Sequence, residues 1–214
     1  MLDNKGFDLW SNNYDKQVEI SDEENVYPFA GYKKVLGTVY EKIRHQNAKD
    51  ILDIGFGTGI LTKKLYDDGY NICGIDFSIE MIKKAKQKMP NAELLQFDFA
   101  DGLPKEFAAK QFDVIISTYA IHHIDDEAKK SYILRLLKSL KPKGIIIFGD
   151  VSFETEEDME AARKKDYDLW DDEEYYLIAE RFNFWFPHLK TDFIKISYCS
   201  GVFIIYKEQN AELD

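Results

Sequence analysis

Cysteine is scarce in this sequence. Its two cysteines, Cys73 and Cys199, each lie in an apolar run, and no Cys-x-x-Cys spacing occurs. With no redox or metal-binding pair, both read as buried thiols. Long hydrophobic runs are missing too. No stretch nears the roughly 18 apolar residues that span a bilayer, and the opening Met1-Leu2-Asp3-Asn4-Lys5-Gly6 has no apolar signal core. The expectation is a soluble, cytoplasmic protein with no membrane partner. Positive charge is also short. There are 28 Lys and Arg against 39 Asp and Glu, a formal net charge of −11. Nucleic-acid partners call for a basic face, and the basic groupings Lys83-Lys84 and Lys141-x-Lys143 suit helix ends or solvated positions. Internal repeats, low-complexity segments and a clear linker are absent.

What is present suits one domain of 214 residues, 45% hydrophobic and 31% charged. The informative stretch is Asp50-Ile51-Leu52-Asp53-Ile54-Gly55-Phe56-Gly57-Thr58-Gly59. Ile51–Ile54 reads as a buried strand that stops at three alternating glycines, and a helical pattern follows. Strand, glycine turn and helix open a nucleotide-binding α/β unit. The glycines allow a sharp turn and a ligand against bare backbone. The helix start behind them offers unpaired N–H groups. The spacing differs from the dinucleotide fingerprint Gly-x-Gly-x-x-Gly, because Ile60 falls where its third glycine would be.

Alternating elements follow. A helix is expected over Tyr32–His45, strands at Asn71–Asp76, Ala92–Phe97, Phe112–Ser117 and Gly144–Gly149, and helices over Thr58–Asp68, 79–88 and Asp125–Leu140. Ile60, Leu61 and Leu65 are expected to face inward, and Ser78 to cap its helix. Residues 21–25 read as a loop, Phe7–Tyr14 as partly helical, and 101–110 as a short helix or irregular crossover. Residues 154–186 read as helical. Two strands, 191–198 and 201–206, are expected to join at Ser200-Gly201. Five strands with helical crossovers imply a parallel sheet with helices on both faces.

Carboxylates end successive strands. Asp76 lies 21 residues after Gly55, where such a group accepts from vicinal ribose hydroxyls. Asp53 and Asp98 complete a set along the carboxyl edge, where open α/β sheets bind ligands.

Asp53 with Gly55-x-Gly57-x-Gly59 resembles motif I of the class I S-adenosylmethionine (SAM)-dependent methyltransferases. The Ser117-Thr118-Tyr119-Ala120-Ile121-His122-His123 run and Trp10-Ser11-Asn12-Asn13-Tyr14-Asp15 narrow the resemblance to the small uncharacterised bacterial YrrT-type enzymes. The resemblance implies an α/β fold: a seven-stranded, mostly parallel Rossmann-like sheet with an antiparallel last strand beside the fifth. It implies a single domain, with a helical lid and cover over 1–48, a SAM-binding core over 49–150, and a helical insertion and strand hairpin over 151–214. It places Tyr14, Asp53, Gly55, Gly57, Gly59, Asp76, Phe77, Met81, Asp98, Phe99 and Ser117 about the cofactor, SAM, whose product is S-adenosylhomocysteine. Phe77 and Met81 would pack on adenine, Asp98 and the Phe99 N–H would meet its edge, and Tyr14 would close the lid.

The acceptor is expected to be a small molecule, since the Asn-Pro-Pro-Tyr motif of amino-directed nucleic-acid or glutamine enzymes is absent. His122 is the first candidate general base, with Tyr119 and Asp150 as alternates. No metal is expected, because two adjacent histidines lack a third ligand. Aromatics of the insertion, among them Tyr167, Trp170, Tyr175 and Tyr176, divide between core and an apolar or aromatic acceptor site. The Asp171–Glu174 run reads as a solvated helix start that could also steer a cationic acceptor. Monomer and homodimer both remain open. The rival readings are a non-catalytic SAM-binding module and an NAD-dependent oxidoreductase.

Overall fold

A computed structural model describes residue 18, residues 21–23 and residues 25–208. Trp10, Tyr14 and the partly helical stretch expected over Phe7–Tyr14 lie outside the described residues.

The sheet runs β3-β2-β1-β4-β5-β8-β7, and a two-residue strand, β6, pairs with β5 off this path. Its members are β1 (Asp50–Ile54), β2 (Asn71–Asp76), β3 (Glu93–Gln96), β4 (Phe112–Thr118), β5 (Leu140–Phe153), β6 (Leu177–Ile178), β7 (Lys190–Lys195) and β8 (Ser200–Tyr206). The first five pair in parallel, and β8 runs antiparallel to both β5 and β7. The helices are α1 (Tyr32–Arg44), α2 (Ile60–Asp67), α3 (Ile79–Lys88), α4 (Lys105–Ala108), α5 (Asp126–Lys138), α6 (Glu156–Lys165) and α7 (Ala179–Trp185).

Two apolar layers sandwich the sheet, and strand side chains alternate between them. Ile51, Val114, Ile116, Ile145 and Ile147 join α1, α2 and α3 on one face. Leu52, Ile115, Ile146 and Phe148 join α4, α5 and α7 on the other. That alternation follows from the period of two along a strand, and burial on both faces explains why the central strands read as unbroken apolar runs. In α1, Val35, Leu36, Val39 and Ile43 form the buried stripe, and Lys42 and Arg44 sit in the last turn, where positive charge complements the helix dipole. Ser78 caps α3 as expected, its hydroxyl accepting from the Met81 N–H at 3.3 Å.

Several expectations need correction. Residues 21–23 are helical rather than a loop. Helix α5 ends at Lys138, and Leu140 already belongs to β5. That strand runs well past both predicted ends. Pro142 lies within a register shift between the Phe112 and Val114 pairings, with Lys143 at φ +65°, so the missing proline N–H falls in a bulge. Beyond Gly149, residues 150–153 continue because β8 and β6 supply partners. The helical expectation over 154–186 is interrupted by turns and by β6. The hairpin turns at 196–199, not at Ser200-Gly201. The Ile196 and Ser197 N–H groups donate to the Ser200 carbonyl, and the Ser200 hydroxyl donates to the Ala30 carbonyl. Ile60 is 46% exposed rather than inward, because it opens α2 beside a cavity.

Candidate active site

The sheet order reverses between β1 and β4, and ligands of open α/β sheets bind at the carboxyl ends of such a switch point. A cavity of about 550 Å³ lies there. One wall is the turn after β1. Gly55, Gly57 and Gly59 adopt φ of +69°, +55° and +75°. At Gly55 an added Cβ would lie 2.5 Å from the Ala120 Cβ, whereas at Gly57 it would meet nothing within 4 Å. The Gly57 backbone therefore faces open space in the cavity wall.

Asp76, at the end of β2, braces this turn. Its Oδ2 accepts from the Gly57 N–H at 2.8 Å and its Oδ1 from the Ser78 N–H at 2.9 Å. Phe77, Met81 and Phe99 line the same wall. A cleft of bare backbone, one carboxylate and apolar or aromatic side chains fits a nucleoside: the carboxylate suits ribose hydroxyls and the thioether and rings suit a flat base.

Other candidates stand back from the cavity. Asp53 is 1% exposed and is absent from the lining. The Thr62 hydroxyl donates to its Oδ2 at 2.6 Å, and its Oδ1 has no partner among the described residues. Burial pushes its pKa up to about 7, against the Thr62 hydrogen bond and with the aid of the negative Asp76. Gly59 starts α2. The Ser117 hydroxyl donates to the Ile54 carbonyl at 2.9 Å, tying β4 to β1. Asp98 is exposed and accepts from the Ala100 N–H at 2.9 Å, capping a short turn.

A second part of the lining is built around His122, which is buried. Its Nδ1 lies 2.6 Å from Asp150 Oδ1 and its Nε2 3.5 Å from Glu174 Oε1. Burial disfavours the charged ring, but the Asp150 and Glu174 carboxylates outweigh that and raise its pKa. His123, beside it, is held neutral by burial and then by the charges of His122 and Lys129. Tyr119 has φ +51°, unusual for a bulky residue, and its ring packs against Phe29 and Tyr32 at centroid distances of 5.3 and 5.0 Å.

Glu174 was not foreseen as a site residue. It is not part of a helix start; it lies in an extended loop stitched to the histidine turn. The Tyr175 N–H donates to the His122 carbonyl at 2.9 Å. Lys129, fully buried, donates to the carbonyls of Ile124 and Tyr175. Burial lowers the Lys129 pKa to about 8, partly opposed by Asp126 and Asp150. The Tyr176 hydroxyl donates to Glu174 Oε2 at 2.7 Å and shares a hydrogen bond with Tyr27. The insertion thus gives the cavity Leu169, Asp171, Glu173 and Glu174, and not the aromatic wall expected of it. Phe182 is core, while Tyr167 and Phe184 face solvent. The one signal in sequence was an acidic run next to an apolar segment, 176–179, that a solvated helix would not need.

The methyltransferase-domain family matches residues 51–144. An uncharacterised methyltransferase of Geobacillus thermodenitrificans is 39% identical over 179 residues, spanning 79% of this chain and 80% of that one. Another, of Oceanobacillus iheyensis, is 35% identical over 86% of this chain and 82% of its own. The chain belongs to the methyltransferase family. It is a class I enzyme, and its methyl donor is SAM. The fold agrees with solved structures. The DhpI complex with S-adenosylhomocysteine superposes with a TM-score of 0.67 at 17% identity, over 97% and 96% of the two chains. A SAM-dependent methyltransferase of Clostridium acetobutylicum gives 0.67 at 20% identity, over 91% and 99%. Among the described residues, no helix is long and apolar enough to cross a membrane.

Proposed function

We propose that this methyltransferase acts on a small polar molecule held at the His122–Glu174 end of the cavity. The observation that carries the reading is one cavity whose lining carries two unlike groups of residues. The glycine turn, Asp76, Met81 and Phe99 form the first; His122, Asp171, Glu173 and Glu174 form the second. Its volume is that of a small-molecule site, and the net charge of −11 disfavours a nucleic-acid substrate. SAM, when bound, supplies an electrophilic methyl on a sulfur that leaves readily.

The protein's share is chiefly alignment, which contributes up to roughly 7–11 kcal/mol in ideal cases. Gly57 and Asp76 hold the donor side. Tyr119, in its left-handed conformation between the walls, shapes the passage. Asp150 orients the His122 ring so that Nε2 faces the cavity, where it takes up a proton if the acceptor must lose one.

The test is calorimetric titration with SAM, S-adenosylhomocysteine and NAD, followed by a screen of small molecules, RNA and proteins for S-adenosylhomocysteine release. Binding of the first two ligands and turnover with a small molecule are expected. Turnover only with a polymer would refute the acceptor class, and NAD binding alone would refute the donor assignment. His122→Ala should keep SAM binding and lose at least about tenfold in turnover; equal turnover would remove the ring from the chemistry.

A further inference from the structure

The second wall gathers more than a base. His122, His123 and Glu174 each present one ligating atom, and these atoms all lie within 4.8 Å of one another. The sequence offered only two adjacent histidines, a poor site without a third ligand, and the fold brings that third ligand from the 171–176 loop. We infer that His122, His123 and Glu174 form a binding site for a divalent first-row transition ion, facing the acceptor end of the cavity.

Three features point to a metal rather than to a chance cluster. The donor set is two imidazoles and one carboxylate, the combination that binds zinc and its neighbours with a position left open for substrate or water. His122 has the backing that metal-bound histidines usually have. The Asp150 carboxylate accepts from its Nδ1–H at 2.6 Å, which leaves Nε2, 3.5 Å from Glu174 Oε1, as the ring nitrogen free to ligate an ion. The loop carrying Glu174 is also fixed at the histidine turn, by the Tyr175 N–H on the His122 carbonyl and by buried Lys129 bridging Ile124 and Tyr175. All three ligands line the cavity, so an ion would meet an acceptor there.

This deepens the proposed function. An oxygen or thiol acceptor coordinated to the ion would ionise more readily, releasing its proton to solvent. Its conjugate base would then take the methyl as the sulfonium becomes a neutral thioether. His122 would serve as a ligand in that form of the protein, and not as the proton acceptor.

The test uses the full-length protein after chelation, titrated with Co²⁺ by visible absorption and with Zn²⁺ by calorimetry, with S-adenosylhomocysteine titrated into the same samples. One ion per chain is expected, with visible bands of nitrogen and oxygen ligation. Glu174→Gln and His123→Ala should each weaken binding more than about tenfold, and Asp150→Asn by about 10–100-fold. His45→Ala, at an exposed remote histidine, should leave it unchanged. Absence of Co²⁺ bands in a protein that binds S-adenosylhomocysteine would overturn the metal site and leave the methyltransferase reading standing. Equal ion affinity in both Glu174→Gln and His123→Ala would overturn it as well. Loss of S-adenosylhomocysteine binding in the parent protein would instead count against the donor site.

Discussion

Asp53→Asn is expected to change how stability depends on pH. The parent carboxyl is buried, holds one hydrogen bond from Thr62, and has a second oxygen without a partner among the described residues. Its folded pKa is about 7, against an ordinary value of 3.8. Between those values the folded chain holds a proton that the unfolded chain has lost. Stability therefore falls as pH rises from about 4 to about 7 and levels off above. Each pKa unit is worth about 1.4 kcal/mol, so the whole shift is on the order of 4 kcal/mol. From about pH 5 to about pH 8, roughly 3 kcal/mol of it remains to be lost.

An asparagine has no charge to strand. Its carbonyl keeps the Thr62 bond, but its NH₂ lacks an evident acceptor, at a cost of about 1–3 kcal/mol at any pH. The variant should thus be level with or below the parent near pH 5 and gain on it by about 3 kcal/mol near pH 8. Urea unfolding of both proteins across that range measures the difference directly and cancels the titration of all other groups. A stability difference that stays constant across the range would refute the reasoning.

The donor wall yields two further predictions. Gly57→Val adds a side chain at φ +55° where a Cβ meets only open cavity; about 1–2 kcal/mol of backbone strain and loss of SAM binding are expected. A variant with native circular dichroism and unchanged SAM affinity would contradict the placement of the donor against that turn. Asp76→Ala removes the carboxylate that holds the Gly57 and Ser78 N–H groups, and should weaken SAM binding by about 1–3 kcal/mol; an unaltered calorimetric affinity would detach Asp76 from the donor site.

Much of this was legible in the chain itself. Glycines at alternate positions after an apolar strand can do little but turn sharply at a sheet edge. Strand and helix periods alternate regularly enough from Asp50 to Ser139 to dictate a parallel sheet, and with it the cavity edge and Asp76. Local chemistry also sets the caps at Ser78 and Asp125. Errors collected where partners are distant. Pro142 and Gly144 look like strand breakers, and only pairing with β4 and β8 makes that segment part of β5.

The same division runs through the active site. Sequence determined the class of fold, the glycine turn and the identity of the histidine pair, because each depends on neighbours along the chain. Tertiary structure decided what those groups face. Asp53 became a buried acid outside the cavity lining, because packing and not spacing sets its solvation. Asp150 and Glu174 became the partners of His122, because a sheet and a loop fold them to one point from separate parts of the chain. A short acidic run shows its charge in sequence; only the folded loop shows which of its carboxylates reaches an imidazole.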